Sequence, residues 1–304
     1  MNKILILTAL LCAAVTASAA NRSRDAMLVT TDWLAAHLHD PALVLLHVGD
    51  AAHYNAGHID GARLVPQGGL AAPRGSDAAA LILEMPSAGL LRTQLQDLGV
   101  SRTSRIVVYY GRDEVPAATR VMFTLDAAGL GARASLLDGG QGQWLREGRA
   151  TTMDVPPVKT GVLPPLTLEP ALADAAFVQK HLADRRVAVI DARAAQFYDG
   201  SEAGRFQVGE PKKGHIPGAR SIPYDSVTDG ELKLKSPEAL ADLFAKAGVK
   251  RGDKAVVYCH VGQQASEVLV GARSLGIVAL LYDGSFAEWS QLNLPVETTP
   301  APLR

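Results

Sequence analysis

The chain contains two copies of one unit, and this internal repeat constrains its fold more than any other feature of the sequence. The matched blocks are 45–54 with 189–198, 57–63 with 214–220, 106–110 with 255–259, and 138–144 with 283–289. Each copy carries an insertion that the other lacks, on opposite sides of the block that begins Gly-His-Ile, and insertions of this kind lie in surface loops. The sequence therefore predicts two domains of the same fold in tandem.

The boundary between the copies lies in a proline-rich segment. Residues 155–166 contain four prolines, too many for a helix or a central strand. We interpret this segment as an extended linker. It separates an N-terminal domain at residues 21–154 from a C-terminal domain at residues 167–304.

Short apolar strands alternate with helical patterns within each copy. Residues 187–190 and 254–258 are β-branched runs typical of buried strands. Residues 236–248 have helical spacing, with Ser236 as the N-cap and Gly248 as the stop signal. Strands that alternate with helices pair in parallel, and helices cover both faces of the sheet. The sequence therefore predicts an α/β fold for each copy.

The first residues have the pattern of a secretory signal peptide. Lys3 precedes a short apolar stretch from Ile4 to Val15, and small residues lead to Ala19 and Ala20. The stretch is shorter than the roughly 20 residues that span a bilayer, so we expect residues 1–20 to be cleaved rather than retained as an anchor. The mature protein is then exported, with a bacterial periplasm as the expected compartment and no membrane association.

The charge balance argues against two classes of partner. The chain has 30 lysines and arginines against 31 aspartates and glutamates, which leaves a formal charge of −1. Such a chain has no basic surface for a nucleic-acid backbone or for an anionic membrane. We therefore expect neither as a partner.

Cleavage removes Cys12 and leaves Cys259 without an internal disulfide partner, although exported proteins normally pair their cysteines. Cys259 follows the apolar run 255–258 and precedes a helical pattern, which is where ligand sites lie in parallel sheets. Backbone amides and the positive end of a helix favour a thiolate there. From this local pattern alone, Cys259 is either a nucleophile or a small buried core residue.

A family resemblance favours the nucleophile. The tandem blocks, the Gly-His-Ile-x-Gly-Ala motif in both copies, the strand that ends in Cys259, and the block from Asp283 to Trp289 together resemble the two-domain rhodanese family of sulfurtransferases. The resemblance covers nearly the whole mature chain. It implies a doubly wound parallel sheet with helices on both faces in each domain, a catalytic C-terminal domain, and a cysteine, here Cys259, that carries a persulfide.

The N-terminal copy departs from that pattern at three positions. Tyr110 stands in place of Cys259, His47 in place of Asp191, and Gly49 in place of Arg193. A phenol with a pKa of about 10 does not replace a thiolate as a sulfur acceptor. We therefore expect the N-terminal domain to be catalytically silent and to serve the interface and the cleft.

The resemblance implies a small anionic sulfur donor and no cofactor. Attack on thiosulfate or mercaptopyruvate gives a Cys259 persulfide, and cyanide or a thiol then accepts the outer sulfur in a ping-pong cycle. Residues expected to bind the donor are Arg193, Arg205, His260, Gly262, Gln263 and Gln264, and Asp191 is expected to orient the loop. The two glutamines match the loops of neither the best-known thiosulfate enzymes nor the mercaptopyruvate enzymes, so both donors stay open, and the polar loop favours thiosulfate.

Other functions of a lone cysteine are less well supported. A cysteine-dependent phosphatase needs an arginine six residues beyond the cysteine, where this chain has Ala265. Disulfide exchange lacks a second cysteine, and the histidines show no metal-ligand spacing around Cys259. A non-catalytic sulfur carrier or partner-binding module needs the same cysteine and stays open. We expect a monomer, because the two copies supply each other's interface.

Overall fold

The computed structural model describes residues 23–77 and 79–299, and the predicted signal peptide lies outside these residues. The described chain forms two five-stranded sheets, one in each half. All strand pairs in both sheets are parallel. Helices connect the strands, as the alternating sequence pattern predicts.

The first sheet and its helices form the N-terminal domain. Its strands are β1 (Leu28–Val29), β2 (Leu43–Gly49), β3 (Arg63–Pro66), β4 (Arg105–Tyr110) and β5 (Ala134–Leu137). Its helices are α1 (Arg24–Met27), α2 (Thr31–His37), α3 (Ala51–Ala56), α4 (Ala88–Asp97), α5 (Val115–Ala127) and α6 (Gly140–Arg146), with a 3-10 turn at Gly131–Arg133.

The second sheet and its helices form the C-terminal domain. Its strands are β6 (Leu172–Ala173), β7 (Val187–Asp191), β8 (Arg220–Ser221), β9 (Lys254–Tyr258) and β10 (Val278–Tyr282). Its helices are α7 (Ala175–His181), α8 (Ala195–Tyr198), α9 (Pro237–Lys246), α10 (Gln263–Ser274) and α11 (Ser285–Gln291), with a 3-10 turn at Tyr224–Ser226. No helix that the structure describes is both long and apolar enough to cross a bilayer.

The two sheets have the same topology. The strand order is β1-β5-β4-β2-β3 in the first and β6-β10-β9-β7-β8 in the second. In each sheet the chain starts at one edge strand and crosses to the opposite half, where it forms the next two strands. It then returns and forms its last two strands in the reverse direction across the sheet, which is a doubly wound arrangement. This confirms the predicted tandem α/β fold. The strands β4 and β9 occupy the centre of their sheets, so the loops that follow them lie at the middle of the carboxyl edge.

Each sheet is buried on both faces, because alternate residues of a strand enter different cores. On β2, Leu46 packs in a cluster with Leu91 of α4 and Val121 of α5, whereas Leu45 packs in a cluster with Trp144 of α6. Strand β9 alternates between two clusters in the same way. Burial on both faces accounts for the continuous apolar runs of the central strands.

The boundaries of α9 follow the signals in the sequence. Ser236 accepts the backbone N–H of Ala239 through its hydroxyl, and Pro237 is the first helical residue. Gly248, just past the end of the helix, has a φ of 71°, a left-handed conformation that glycine adopts without strain. The local sequence therefore determines where this helix begins and ends.

The two domains pack against each other through α5 and α10. Two buried ion pairs cross this interface: Arg120 with Asp283 at 2.6 Å, and Arg273 with Asp126 at 3.1 Å. Phe123 of α5 lies in the core cluster of the C-terminal domain, with both guanidinium groups within 6 Å of its ring centre, at 5.6 and 5.5 Å. The interface is therefore an extension of the protein core.

The two copies also exchange equivalent hydrogen bonds. The carboxylate of Asp138 accepts the backbone N–H of Leu234 at 3.0 Å, and the carboxylate of Asp283 accepts the backbone N–H of Met85 at 2.7 Å. Asp138 and Asp283 occupy the same position in the repeat. Each domain therefore uses the same aspartate to bind the other.

The segment between the copies packs on the N-terminal domain. Residues 155–166 contain neither helix nor strand. The backbone N–H of Gly161 donates to the carbonyl oxygen of Gln96 at 2.7 Å, and Arg92 donates to the carbonyl oxygen of Leu163 at 2.8 Å. The side chain of Leu163 is buried. The extended segment is therefore fixed to α4.

Candidate active site

Cys259 lies at the carboxyl end of β9, four residues before the start of α10, and it is 1% exposed. Its sulfur accepts backbone N–H groups from four residues: Val261, Gly262, Gln264 and Ala265. Gly262 has a φ of 79°, and this left-handed conformation turns successive amides towards one point. The loop is therefore a cradle of N–H donors around one sulfur atom.

Burial and the amides act in opposite directions on the pKa of Cys259. Burial has the larger effect and raises the pKa, whereas the four N–H donors lower it, so the pKa lies above the ordinary value of a cysteine. The sequence pattern led us to expect a thiolate, because it reveals the amides and the helix start but not the depth of burial. Burial therefore favours the protonated thiol, whereas the amides are positioned for the anion.

Asp191 and Arg193 form a buried ion pair behind the loop. Arg193 donates through Nε to one carboxylate oxygen at 3.0 Å and through Nη2 to the other at 2.6 Å. The hydroxyl of Tyr258, the residue before Cys259, donates to the same carboxylate at 2.6 Å. Asp191 thus connects β7 to a side chain of β9, and its loop-orienting role stays a prediction.

Arg193 itself is fully buried. Its Nη2 also donates to the carbonyl oxygen of Gly214 at 2.8 Å, and its guanidinium stacks 3.9 Å from the ring centre of Phe286. Its Nη1 has no hydrogen-bond partner among the residues described. Contact between Arg193 and a donor anion stays a prediction. Because Arg193 is fully buried, such a contact requires the residues packed around Nη1 to move apart.

His260 is a buried, neutral ring beside the thiol. Its Nδ1 accepts the backbone N–H of Arg205 at 3.0 Å, and Phe197 packs edge-on with ring centres 4.6 Å apart. Burial and the positive charges of Arg193 and Arg205 lower its pKa to about 3. The proton of the neutral ring is therefore on Nε2. His260 is a hydrogen-bond donor through Nε2 and too weak a base to deprotonate Cys259.

Arg205 is an exposed cation next to this ring. It lies in the insertion of the second copy, with its guanidinium 5.3 Å from the ring centre of Phe197. Its positive charge opposes the effect of burial, which raises the pKa of Tyr224. The side chain of Gln264 is hydrogen-bonded to the Tyr224 hydroxyl. Gln263 is half-buried. The structure thus brings Arg205, Gln264 and Tyr224 together on one side of the loop.

Two residues of the site were missed in the sequence. The hydroxyl of Ser285 accepts the backbone N–H of Cys259 at 3.2 Å and donates to the carbonyl oxygen of Tyr282 at 2.7 Å. Ser285 belongs to a repeated block at the end of a third strand, and that position was an available signal. Tyr224 lies in a 3-10 turn and belongs to no matched block, so nothing in the sequence indicated it.

The equivalent loop of the N-terminal domain presents a phenol instead of a thiol. The hydroxyl of Tyr110 donates to the carbonyl oxygen of Leu232 across the domain interface at 2.7 Å. His47, in the position of Asp191, contacts the hydroxyl of Tyr109 through Nδ1 at 3.0 Å. Burial and two neighbouring histidines lower the pKa of His47 to about 4. Polar groups at this loop therefore serve the interface and the domain's own core.

Within 23–77 and 79–299, no group of three histidine, cysteine, aspartate or glutamate side chains is arranged to hold a metal ion.

Fold and loop together define a tandem α/β protein with an amide-cradled cysteine in its second copy. A family model described as "Rhodanese-like domain" matches the chain twice, over residues 30–147 and 174–292. The chain belongs to the rhodanese family and has two rhodanese-like domains. The resemblance inferred from the motifs is confirmed.

Three similar proteins bear names that concern sulfur transfer. The chain is 31% identical over 277 residues to the sulfur carrier protein TtuD of Thermus thermophilus, covering 88% of this chain and 94% of TtuD. It is 34% identical over 214 residues to the 3-mercaptopyruvate sulfurtransferase of Rattus norvegicus, covering 67% and 69%. It is 32% identical over 272 residues to the putative thiosulfate sulfurtransferase SseA of Mycobacterium tuberculosis, covering 86% and 87%. These relatives support sulfur transfer as the general activity.

Solved structures agree on the fold. The wild-type structure of EanB superposes with a TM-score of 0.78 at 22% identity and covers 91% of this chain and 70% of EanB. The anaerobic ergothioneine biosynthesis enzyme from Chlorobium limicola gives a TM-score of 0.79 at 21% identity, with 91% and 71% covered. At this level of identity the likeness concerns the fold alone.

Proposed function

We propose that the protein is a sulfurtransferase that moves sulfane sulfur from thiosulfate to cyanide or a thiol through a persulfide on Cys259. The observation that carries this proposal is the convergence of four backbone N–H groups on the Cys259 sulfur. The Cys259 thiolate, which attacks the donor and leaves again in the second half-reaction, bears negative charge on this sulfur. Donors already in position stabilise such charge without reorganisation. A putative thiosulfate sulfurtransferase is among the similar proteins.

The first half-reaction loads the cysteine. The Cys259 thiolate attacks the outer sulfur of thiosulfate, the S–S bond of the donor breaks, and sulfite leaves with the bonding electron pair. The thiol proton passes to solvent or to the leaving sulfite, because His260 is too weak a base. In the second half-reaction, cyanide or a thiolate attacks the outer sulfur of the persulfide. The Cys259 thiolate is then the leaving group, and the enzyme returns to its starting state.

The donor anion needs cationic or N–H groups beside the thiol. Arg205 supplies an exposed guanidinium, and the Nε2–H of His260 supplies a neutral donor. Gln263 and Gln264 add polar amides at the start of α10. We assign the binding of the donor oxygens to these four residues, with the backbone amides of the loop reserved for the sulfur.

We also propose that the protein is exported and works in the periplasm as a monomer. The support is the signal-peptide pattern of residues 1–20. N-terminal sequencing of the protein recovered from a periplasmic extract tests this proposal. A mature chain that begins at Ala20 or Asn21 is the expected result, and recovery of the uncleaved chain in the cytosol would contradict it.

The test of the activity is the intact mass of the mature protein before and after thiosulfate, with Cys259→Ser as the matched control. We expect the wild type to gain the mass of one sulfur atom and to lose it when cyanide is added, with release of thiocyanate in equal amount. The serine variant should gain nothing, because its hydroxyl does not accept sulfur.

The other outcomes separate the alternatives. Loading by 3-mercaptopyruvate but not by thiosulfate would assign the activity that is named for the rat relative. Loading only by another protein's persulfide would assign a carrier role, as the name of the Thermus relative states. A Cys259 that takes sulfur from none of these donors contradicts the proposed function.

A further inference from the structure

Arg120, a residue of the N-terminal domain, reaches the catalytic loop of the C-terminal domain. Its Nη1 lies 2.6 Å from a carboxylate oxygen of Asp283, and its Nη2 donates to the carbonyl oxygen of Leu83 at 2.7 Å. The second carboxylate oxygen of Asp283 accepts the backbone N–H of Met85 at 2.7 Å. Arg120 and Asp283 are 6% and 7% exposed. The N-terminal domain therefore holds Asp283 at both of its oxygens.

Asp283 begins the turn that supports the backbone of the nucleophile. Ser285 in this turn has a φ of 53°, a strained value for a residue other than glycine, and its hydroxyl accepts the N–H of Cys259. The backbone N–H of Phe286 donates to the carbonyl oxygen of Cys259 at 3.0 Å, and the backbone N–H of Ala287 donates to the carbonyl oxygen of His260 at 3.1 Å. A strained turn persists only when its surroundings hold it in place. The N-terminal domain holds this turn through its contacts with Asp283.

Arg120 also packs against the loop directly. A Cβ atom placed on Gly262 would lie 2.8 Å from Nη1 of Arg120 and 3.0 Å from the carbonyl oxygen of Asp283. The guanidinium therefore contacts Gly262, whose left-handed backbone turns the amides towards the sulfur. One buried cation thus touches both elements that position Cys259.

We propose that Arg120 of the N-terminal domain is a positioning residue for the Cys259 loop, acting through Asp283 and Gly262 to keep the amide donors aligned on the sulfur. This inference rests on the proposed function for its catalytic consequence. Arg120 is not among the groups that act on the Cys259 thiol, and it is not one of the four residues assigned to the donor. We therefore expect its loss to change the step at the sulfur and not the binding of the donor. A displacement of the amides by a fraction of an ångström is sufficient to slow that step.

The test compares Arg120→Met with Arg273→Met. Methionine fills much of the volume of arginine, so Cys259 stays buried while the amides lose alignment. We expect the apparent pKa of Cys259, read from the pH profile of iodoacetamide alkylation, to rise in Arg120→Met. We also expect kcat for thiosulfate to fall about tenfold, with KM changed by less than about twofold. Arg120→Lys keeps the charge and is expected to show a smaller change in the same direction.

Arg273→Met is the matched control, because Arg273 is as deeply buried and pairs across the same interface with Asp126. It lies near the far end of α10 from Cys259. We expect this variant to lose thermal stability and to keep the alkylation profile and kcat of the wild type. If the two substitutions have equal effects on alkylation and on kcat, Arg120 has only a structural role and the inference is wrong. An alkylation pH profile of Arg120→Met that is identical to that of the wild type would also overturn the inference.

The alkylation profile also separates this inference from the proposed function. It requires only the thiol of Cys259 and no sulfur donor. If the wild type takes no sulfur from thiosulfate, a raised pKa in Arg120→Met still supports the positioning role. If Arg120→Met does not fold, the profile of Arg120→Lys decides, and a profile identical to that of the wild type contradicts the inference.

Discussion

Replacement of Glu267 by glutamine is expected to remove one loss of stability that occurs as the pH rises towards 8. Glu267 lies on α10 and is 2% exposed. One carboxyl oxygen accepts the hydroxyl of Thr228 at 3.2 Å, and the other has no hydrogen-bond partner in the described part of the chain. Burial, with a smaller contribution from the charge of Asp225, raises its pKa from 4.5 to about 8.

The sign of the effect follows from these two pKa values. The folded protein keeps the proton on Glu267 up to about pH 8, whereas the unfolded chain releases it above pH 4.5. The contribution to stability is therefore complete below pH 4.5 and is lost as the pH rises to about 8. Each pH unit in this interval lowers the free energy of unfolding by about 1.4 kcal/mol. From about pH 5 to about pH 8, titration is partial at both ends of the interval, so this single group accounts for a loss of about 3.5 kcal/mol rather than that of three full pH units.

Urea unfolding over this pH range measures the effect. The control is Glu210→Gln, which changes an exposed carboxylate in the inserted loop. From about pH 5 to about pH 8, the free energy of unfolding of Glu267→Gln should rise relative to that of the wild type by about 3.5 kcal/mol, while the control follows the wild type. If the stabilities of the wild type and Glu267→Gln change in parallel with pH, the assignment of a buried, protonated carboxyl group is wrong.

Three further outcomes are expected. The rate of Cys259 alkylation should rise with pH above neutrality because burial raises the pKa of this thiol; a rate that is already constant at neutral pH would show a resting thiolate instead. Tyr110→Phe removes a hydrogen bond to Leu232 and should lower the free energy of unfolding by about 1 kcal/mol while sulfur loading stays unchanged. Loss of loading in that variant would show that the loop of Tyr110 takes part in catalysis. Asp191→Asn leaves the buried Arg193 without a counter-charge and should cost about 3 kcal/mol in urea unfolding, and a cost near zero would show that water reaches the guanidinium.

The fold was predictable because the same pattern occurs twice. Residues 254–258 and 236–248 were expected as a strand and a helix, and the structure has β9 at Lys254–Tyr258 and α9 at Pro237–Lys246. Apolar period, an N-cap serine and a stop glycine are local signals, and local signals survive in the folded chain when the tertiary contacts agree with them.

The place of Cys259 in the fold was predictable from the sequence, whereas its burial and electrostatic surroundings were not. The position of Cys259 at a strand end follows from the order of strand and helix, but its depth of burial depends on residues far away in the chain. The contact of His260 with the backbone of Arg205 joins positions 55 residues apart. The reach of Arg120 to Asp283 crosses from one domain to the other. Such contacts leave no spacing signal in the sequence.

The exchange of hydrogen bonds by Asp138 and Asp283 has the form of an isologous dimer contact, in which two subunits related by a two-fold axis present the same patch to each other. In a dimer of identical subunits, a change in one site is a change in both. Within one polypeptide the halves are encoded separately, so position 110 can become tyrosine while position 259 stays cysteine. The partner that supports the half with Cys259 is covalently attached, and dilution does not remove it.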